Sequence, residues 1–243
     1  MGAPQQALLM LGKLSYNATV LADSPAGFWQ LNETSGTTAA DSSGNSRDGT
    51  YIGSPTLTTT GVVLNGTSQY IDIASSFFDA IGNSNQAYTF EIWGKWTVDT
   101  SVAIFFDKGD ANAPAEFTQL SVKNISSVPG ALQCYANEAG IGSATAQYTG
   151  SSSNDGVYHH VVGQRRVTTD GGEETLSLYL DGISRANVAW AQVNSYTSTD
   201  NLLIGAYPIG PIAFFPGTLF KAAVYMHSLT DAQVLAHYQA RDW

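Results

Sequence analysis

The chain reads as an all-β protein, a two-sheet antiparallel sandwich with one short C-terminal helix. Three observations predict this. From Phe28 onward, short apolar runs alternate with clusters of Gly, Ser, Asn, Thr and Asp, the spacing of an antiparallel sandwich or barrel. Residues 88–98 (YTFEIWGKWTV) alternate as a strand, with Tyr88, Phe90, Ile92, Trp96 and Val98 on one face and Thr89, Glu91, Trp93, Lys95 and Thr97 on the other. Helical periodicity is nearly absent elsewhere.

Taken in order, residues 1–22 form a leader with a Gln pair, an apolar patch at Ala7 to Leu11 and no sustained period. It is expected either to dock onto a partner or to pack on its own domain. Residues 23–243 then make one domain, opening with short aromatic strands joined by a polar, turn-rich loop over Pro25 to Gly53. The 88–98 strand sends one face to the core and the other outward. Val157 to Val167 makes another strand. Its adjacent His159 and His160 point to opposite faces and cannot chelate one ion, so His160 is expected to be a hydrogen-bonded structural residue. Arg165-Arg166 reads as a solvated strand edge. In TLSLYLD, Leu176, Leu178 and Leu180 point inward and Asp181-Gly182 turns a hairpin into Ile183. Leu202 to Gly205 and Thr218 to Tyr225 supply two more strands. The helix begins at Thr230, which forms a capping box with Gln233 while Leu229 and Val234 staple it; Val234, Leu235 and Tyr238 give its apolar stripe.

Composition narrows the function. With 43% hydrophobic and 12% charged residues in 243, the chain is globular and long enough for one large β domain. A net charge of −10 and a pI near 4.5 repel phosphate backbones and anionic lipid, so nucleic acid is excluded as a partner. The single Cys134 cannot form an internal disulfide and has no His at zinc-like spacing; it reads as a small core residue. Residues 7–12 (ALLMLG) are too short to span a bilayer and lack the flanks of a signal peptide, so neither membrane insertion nor export is expected.

Several blocks in order, VVLNGTSQYIDI (62–73), YTFEIW (88–93), FFDKGD (105–110), GVYHHVV (156–162), LSLYLDG (176–182), LLIGA (202–206) and GTLFKAAVYMHSLTDAQV (217–234), resemble the laminin-G-like family of the concanavalin A-like lectin/glucanase superfamily. The resemblance covers about residues 23–240 and implies a jelly roll with one concave sheet. One departure stands out. The family's terminal block commonly carries an Asp-Glu pair where this chain has Phe220-Lys221-Ala222-Ala223. A calcium site that used that pair would be lost.

Glucanases of the superfamily place their acid and nucleophile in a Glu-x-Asp-x-x-Glu run on one strand, where retaining hydrolysis needs the carboxylates close together. No Glu-x-Asp occurs here, so the chain is not expected to be an enzyme. A structural calcium ion would draw on Asp41, Asn45 and Asp48 of the DSSGNSRDG loop, or on Asp107 and Asp110 beside Lys108-Gly109, against the plainer reading that these residues shape turns. Sugar binding needs aromatic faces beside fixed polar groups. Trp93 between Glu91 and Lys95 is one candidate, with packing beneath a loop as its alternative. Tyr207, Phe214 and Phe215 in YPIGPIAFFP are the other, with core insertion as theirs.

The expectation is a non-catalytic recognition module for a glycan or host surface. The leader GAPQQALLML is similar to those of small bacteriophage structural proteins, which suggests a virion surface protein anchored to other virion proteins through residues 1–22. The alternative is a purely structural decoration or fibre subunit that uses the sandwich for homo-oligomer contacts.

Overall fold

The computed structural model describes residues 14–82, 85–97, 102–109, 117–125, 128–138, 142–150, 153–167, 174–190, 200–207 and 213–243. Among them, two eight-stranded antiparallel sheets stack as the sandwich. The first sheet runs in space β14 (Ile183–Ala189), β13 (Thr175–Leu180), β12 (His159–Arg166), β7 (Tyr88–Lys95), β16 (Pro216–Tyr225), β5 (Gly61–Asn65), β4 (Thr56–Thr58), with β1 (Gly27–Trp29) also paired to β16. The second runs β11 (Gly142–Tyr148), β10 (Val128–Glu138), β9 (Phe117–Ile125), β8 (Val102–Gly109), β15 (Leu202–Ile204), β6 (Tyr70–Ile73), β3 (Gly49–Ile52), β2 (Thr38–Ala39). Sequence neighbours often lie in different sheets, the crossing pattern of a jelly roll.

Alternation builds the core. Phe90, Ile92, Val161, Leu178, Leu219 and Val224 project from the first sheet onto Ile71, Phe105, Phe106, Leu120, Leu132 and Ile204 of the second, all fully buried. Each contributes roughly 1.5–3 kcal/mol by leaving water. The Phe90 and Phe106 rings stack at 5.0 Å. Cys134 is buried in the same core. The Asp181-Gly182 turn has φ of +55° and +76°, as a two-residue hairpin between Leu180 and Ile183 requires.

A third layer covers the outer face of the first sheet. Helix α1 (Tyr16–Ala22), capped by Ser15, and helix α2 (Asp231–Ala240), capped by the Thr230–Gln233 box, pack there together. Tyr16, Val20, Phe28, Trp93, Val162, Tyr179, Phe220, Tyr225, Leu229 and Val234 form a second buried cluster. Tyr88 through Gly94 are therefore buried on both sides of the sheet.

The packing selects one of the two alternatives for residues 14–22 and corrects two other expectations. Residues 14–22 belong to the domain's own packing, since Tyr16 and Val20 are fully buried; residues 1–13 lie outside the described ones. Helix α2 buries Val234, His237 and Ala240 and leaves Leu235 40% exposed, so its inward stripe contains a histidine where apolarity alone favoured Leu235. Arg165 does not sit at a solvated edge: β12 lies between β7 and β13, and the fully buried guanidinium bonds Glu174 at 3.0 Å and the Gln86 carbonyl at 3.1 Å.

Candidate functional site

The outward face of β7, where the sequence placed Glu91 and Trp93 toward a ligand, is sealed. Glu91 has no exposure and accepts from the Tyr16 hydroxyl (2.8 Å), the Tyr225 hydroxyl (3.0 Å), His160 Nε2 (2.8 Å) and His237 Nδ1 (2.9 Å). His237 Nε2 donates to Asp23 at 2.9 Å, and Asp23 also accepts from Gln233 at 2.7 Å. Both ring nitrogens of His237 thus face carboxylates, which against the opposing effect of burial raise its pKa to about 9. Burial would lift Glu91, but the charge of His237 and the bonds from His160 and His237 overcome it and hold the carboxyl far below its usual range. Trp93 lies under this layer, stacked on Tyr238 at 5.9 Å and met edge-on by Trp243 at 5.1 Å. Lys95, at the strand end, rests its ammonium 4.9 Å over the Tyr158 ring. Lys221 reaches Asn17 Oδ1 at 2.6 Å, tying β16 to α1 at a bulge where its own φ is +54°.

The second aromatic group divides. Phe215 is fully buried in the main core against Phe105 (4.9 Å) and Trp96 (5.8 Å). Phe214 is also buried, in a small cluster with Leu203, Ala206 and Tyr70. Both took the core route; Tyr207 stays half-exposed.

The residues considered for calcium are turn pieces. Asp41 spends one carboxylate oxygen on the N–H groups of Phe28 and Ser43 and the other on that of Arg47. Asp48 accepts the Asp41 N–H, and the Asn45 amide donates to the carbonyls of Pro25 and Ala26. Both oxygens of Asp41 and one of Asp48 are thus committed to backbone N–H groups, whereas a hard cation needs six or more oxygens turned to one point. Among the described residues no group of three or more His, Cys, Asp or Glu gathers to hold a metal. Asp110 lies outside the described residues.

The outer face of the second sheet, turned from the core, is exposed in part. Cross-strand pairing places Thr145, Tyr135, Gln119, Asp107, Leu203, Asp72 and Thr50 in one transverse row. Their neighbours Ala144, Cys134, Leu120, Phe106, Ile204 and Ile71 point into the core, so this row faces away from it. Tyr135 and Gln119 are half-exposed, whereas Asp107 is wholly buried and burial raises its pKa well above the carboxylate norm. Burial also raises Tyr207, as do the nearby charges of Asp107 and then Tyr135, which brings all three into one neighbourhood. The fold thus unites Tyr207 and Asp107, assigned from sequence to different roles, and adds Tyr135 and Gln119. The signal for these two was present: Gln119 and Tyr135 alternate with the core-facing Leu120 and Cys134, which turns them away from the core. The half-exposed phenol and amide offer donors, acceptors and one apolar surface, suited to a hydroxyl-rich ligand, with the buried Asp107 carboxyl behind them.

Residues 65–235 match the Laminin_G_3 model of the Concanavalin A-like lectin/glucanases superfamily. The chain belongs to this family. No curated protein sequence matches it. Among solved structures, domain 4 of AbnA, a GH43 extracellular arabinanase from Geobacillus stearothermophilus in complex with arabinotriose, is similar at 17% identity and a TM-score of 0.63, over 89% of this chain and 98% of that one. The Ruminococcus gnavus IT-sialidase CBM40 bound to alpha2,6 sialyllactose gives 18% identity and a TM-score of 0.56 over 74% and 96%. A botulinum neurotoxin type C structure whose cell entry depends on two ganglioside molecules gives 10% identity and a TM-score of 0.66, covering 93% of this chain and 53% of that one. At these identities the likeness establishes the laminin-G-like fold.

Two outcomes follow from the buried acids. Glu91→Gln strands the His237 charge beside a neutral amide and costs about 3–5 kcal/mol in urea unfolding. In the native protein His237 stabilises fully below its unfolded pKa of 6.5 and loses that contribution as pH rises through about 9; Glu91 loses its own contribution as pH falls below roughly 4. The alkaline slope shrinks in Glu91→Gln, where only Asp23 still faces the ring; an unchanged slope would show that His237 is not the titrating group. Asp107 has the opposite sign among carboxyls, since a raised pKa makes ionisation destabilising as pH rises. Asp107→Asn therefore melts higher than the native protein by a few degrees at pH 7.5, on the order of 1 kcal/mol, and by less at pH 4.

Proposed function

We propose that the chain is a non-catalytic glycan-binding module that takes a neutral oligosaccharide across the outer face of the second sheet. The observation that carries this reading is the polar row centred on Tyr135, Gln119 and Asp107, on the sheet face that no helix layer covers in the described residues. The Tyr135 ring receives a sugar's C–H face, while Gln119 and Tyr207 exchange hydrogen bonds with its hydroxyls. Neighbouring folds solved with arabinotriose and with sialyllactose support a binding role. Hydrolysis finds no support at β7, where Glu91 is enclosed by four donors and reaches no cleft. The structural-subunit reading loses its particular support, because Phe214 and Phe215 are consumed inside their own chain.

A glycan array followed by calorimetry on the best neutral hit tests the site. Tyr135→Ala weakens that binding by roughly tenfold or more with an unchanged melting temperature, the loss of about 1.4 kcal/mol expected for an aromatic anchor. An unaltered affinity would move the site elsewhere. The finer setting, display on a virion surface with the leader anchored to other virion proteins, rests on the resemblance of residues 2–11 alone. Mass spectrometry of purified particles is expected to find the protein; its absence from them ends that reading.

A further inference from the structure

A second site stands at the edge of the domain, where the DSSGNSRDG loop meets the end of β16. A cleft of about 470 Å³ is lined there by Leu21 of α1, Asn45 and Arg47 of the loop, Phe77 of the 3-10 helix Ser76–Gly82, and Met226 and His227 beyond β16. That volume suits a ligand of one or two sugar rings.

Arg47 sets the chemistry. Its guanidinium carbon sits over the Phe77 ring, 3.8 Å from the centroid, and Phe77 is itself 45% exposed. Nη1 donates to the Ala26 carbonyl at 2.6 Å and the backbone N–H is held by Asp41 at 2.9 Å, so both ends of the residue are fixed. That single side-chain bond uses one of five N–H donors. The buried Lys and Arg side chains are neutralised or tied: Lys108 pairs with Asp79, Arg165 with Glu174, and Lys221 bonds Asn17, whereas Arg47 is partly exposed. Arg47 has no carboxylate within ion-pair distance among the described residues, in a chain with twice as many acids as bases. Among its nearest acids in sequence, Asp41 spends both oxygens and Asp48 one oxygen on backbone N–H groups instead. The loop is also held in costly geometry. Ser46 and, across the cleft, Ser24 occupy the left-handed region at φ of +57° and +55°, where a residue with a Cβ is strained.

From this geometry we infer a second binding site, separate from the Tyr135 face, for a sugar that carries a carboxylate. The Arg47 fork pairs the carboxylate in bidentate fashion. Phe77 and Met226 back the ring's apolar side, and the Ser24 and Ser43 hydroxyls at the rim meet its hydroxyls. A planar fork pre-aligned by an aromatic ring loses little freedom on binding, and a point charge such as lysine cannot replace it.

Calorimetry with methyl β-glucuronide and with 3′-sialyllactose, each against its neutral counterpart methyl β-glucoside or lactose, tests the assignment. At least one acidic probe binds the native protein at least tenfold more tightly than its neutral counterpart, and rising salt weakens it. Arg47→Gln removes that preference; Arg47→Lys restores only part of it. Phe77→Ala, at an exposed ring whose loss spares the core, lowers acidic binding several-fold and keeps the test valid if the Arg47 variants fold poorly. Equal binding of acidic and neutral probes, no binding of either acidic probe at millimolar concentration, or an Arg47→Gln variant that still prefers the acid overturns the inference. Inorganic phosphate that competes as well as the acidic sugar does so too, by reducing the cleft to a general anion site. Neutral binding lost in Tyr135→Ala, set beside acidic binding lost in Arg47→Gln, separates failure of this site from failure of the sheet-face reading.

Discussion

A single buried carboxylate organises one side of this molecule. Glu91 projects from the centre of β7 into a space without water, and a charge left alone there would cost several kcal/mol. The cost is met by donors from four separate segments: Tyr16 of α1, His160 of β12, Tyr225 of β16 and His237 of α2. Satisfying Glu91 therefore requires both helices to lie across the first sheet. The sandwich becomes a three-layered body on that side, and Asp23 extends the network by holding the far nitrogen of His237.

Closing that face decides what remains for recognition. Trp93, which alternation points outward, becomes the floor of the helix layer instead of a ligand platform. The second sheet keeps Tyr135 and Gln119 half-exposed, and the edge loop keeps one fixed guanidinium. Solved structures at 10–18% identity share the sandwich over 73–93% of this chain, so the scaffold persists across widely different sequences.

Much of the fold was legible because its signals are local. Period-two alternation at Tyr88, Phe90 and Ile92, the Asp181-Gly182 turn and the Thr230–Gln233 box each rest on a few neighbouring residues, and each formed as read. Functional residues were less legible. Trp93 and Tyr135 both stand on outward faces of alternating strands, yet one is sealed by helices and the other half-exposed. Arg165, in a sequence that looks like a solvated edge, is buried because β13 pairs on its far side and Glu174 supplies the counter-charge.

The sequence by itself determined the all-β class, the laminin-G-like strand blocks, the hairpin and the capped helix, because alternation, turn chemistry and capping act within a few residues. Only the tertiary structure decided which outward face is buried, that His237 rather than Leu235 turns inward, and that Arg47 stands over Phe77 without a carboxylate. Those outcomes join residues 30 to more than 140 positions apart, and burial and charge pairing are properties of the assembled neighbourhood that no local pattern carries.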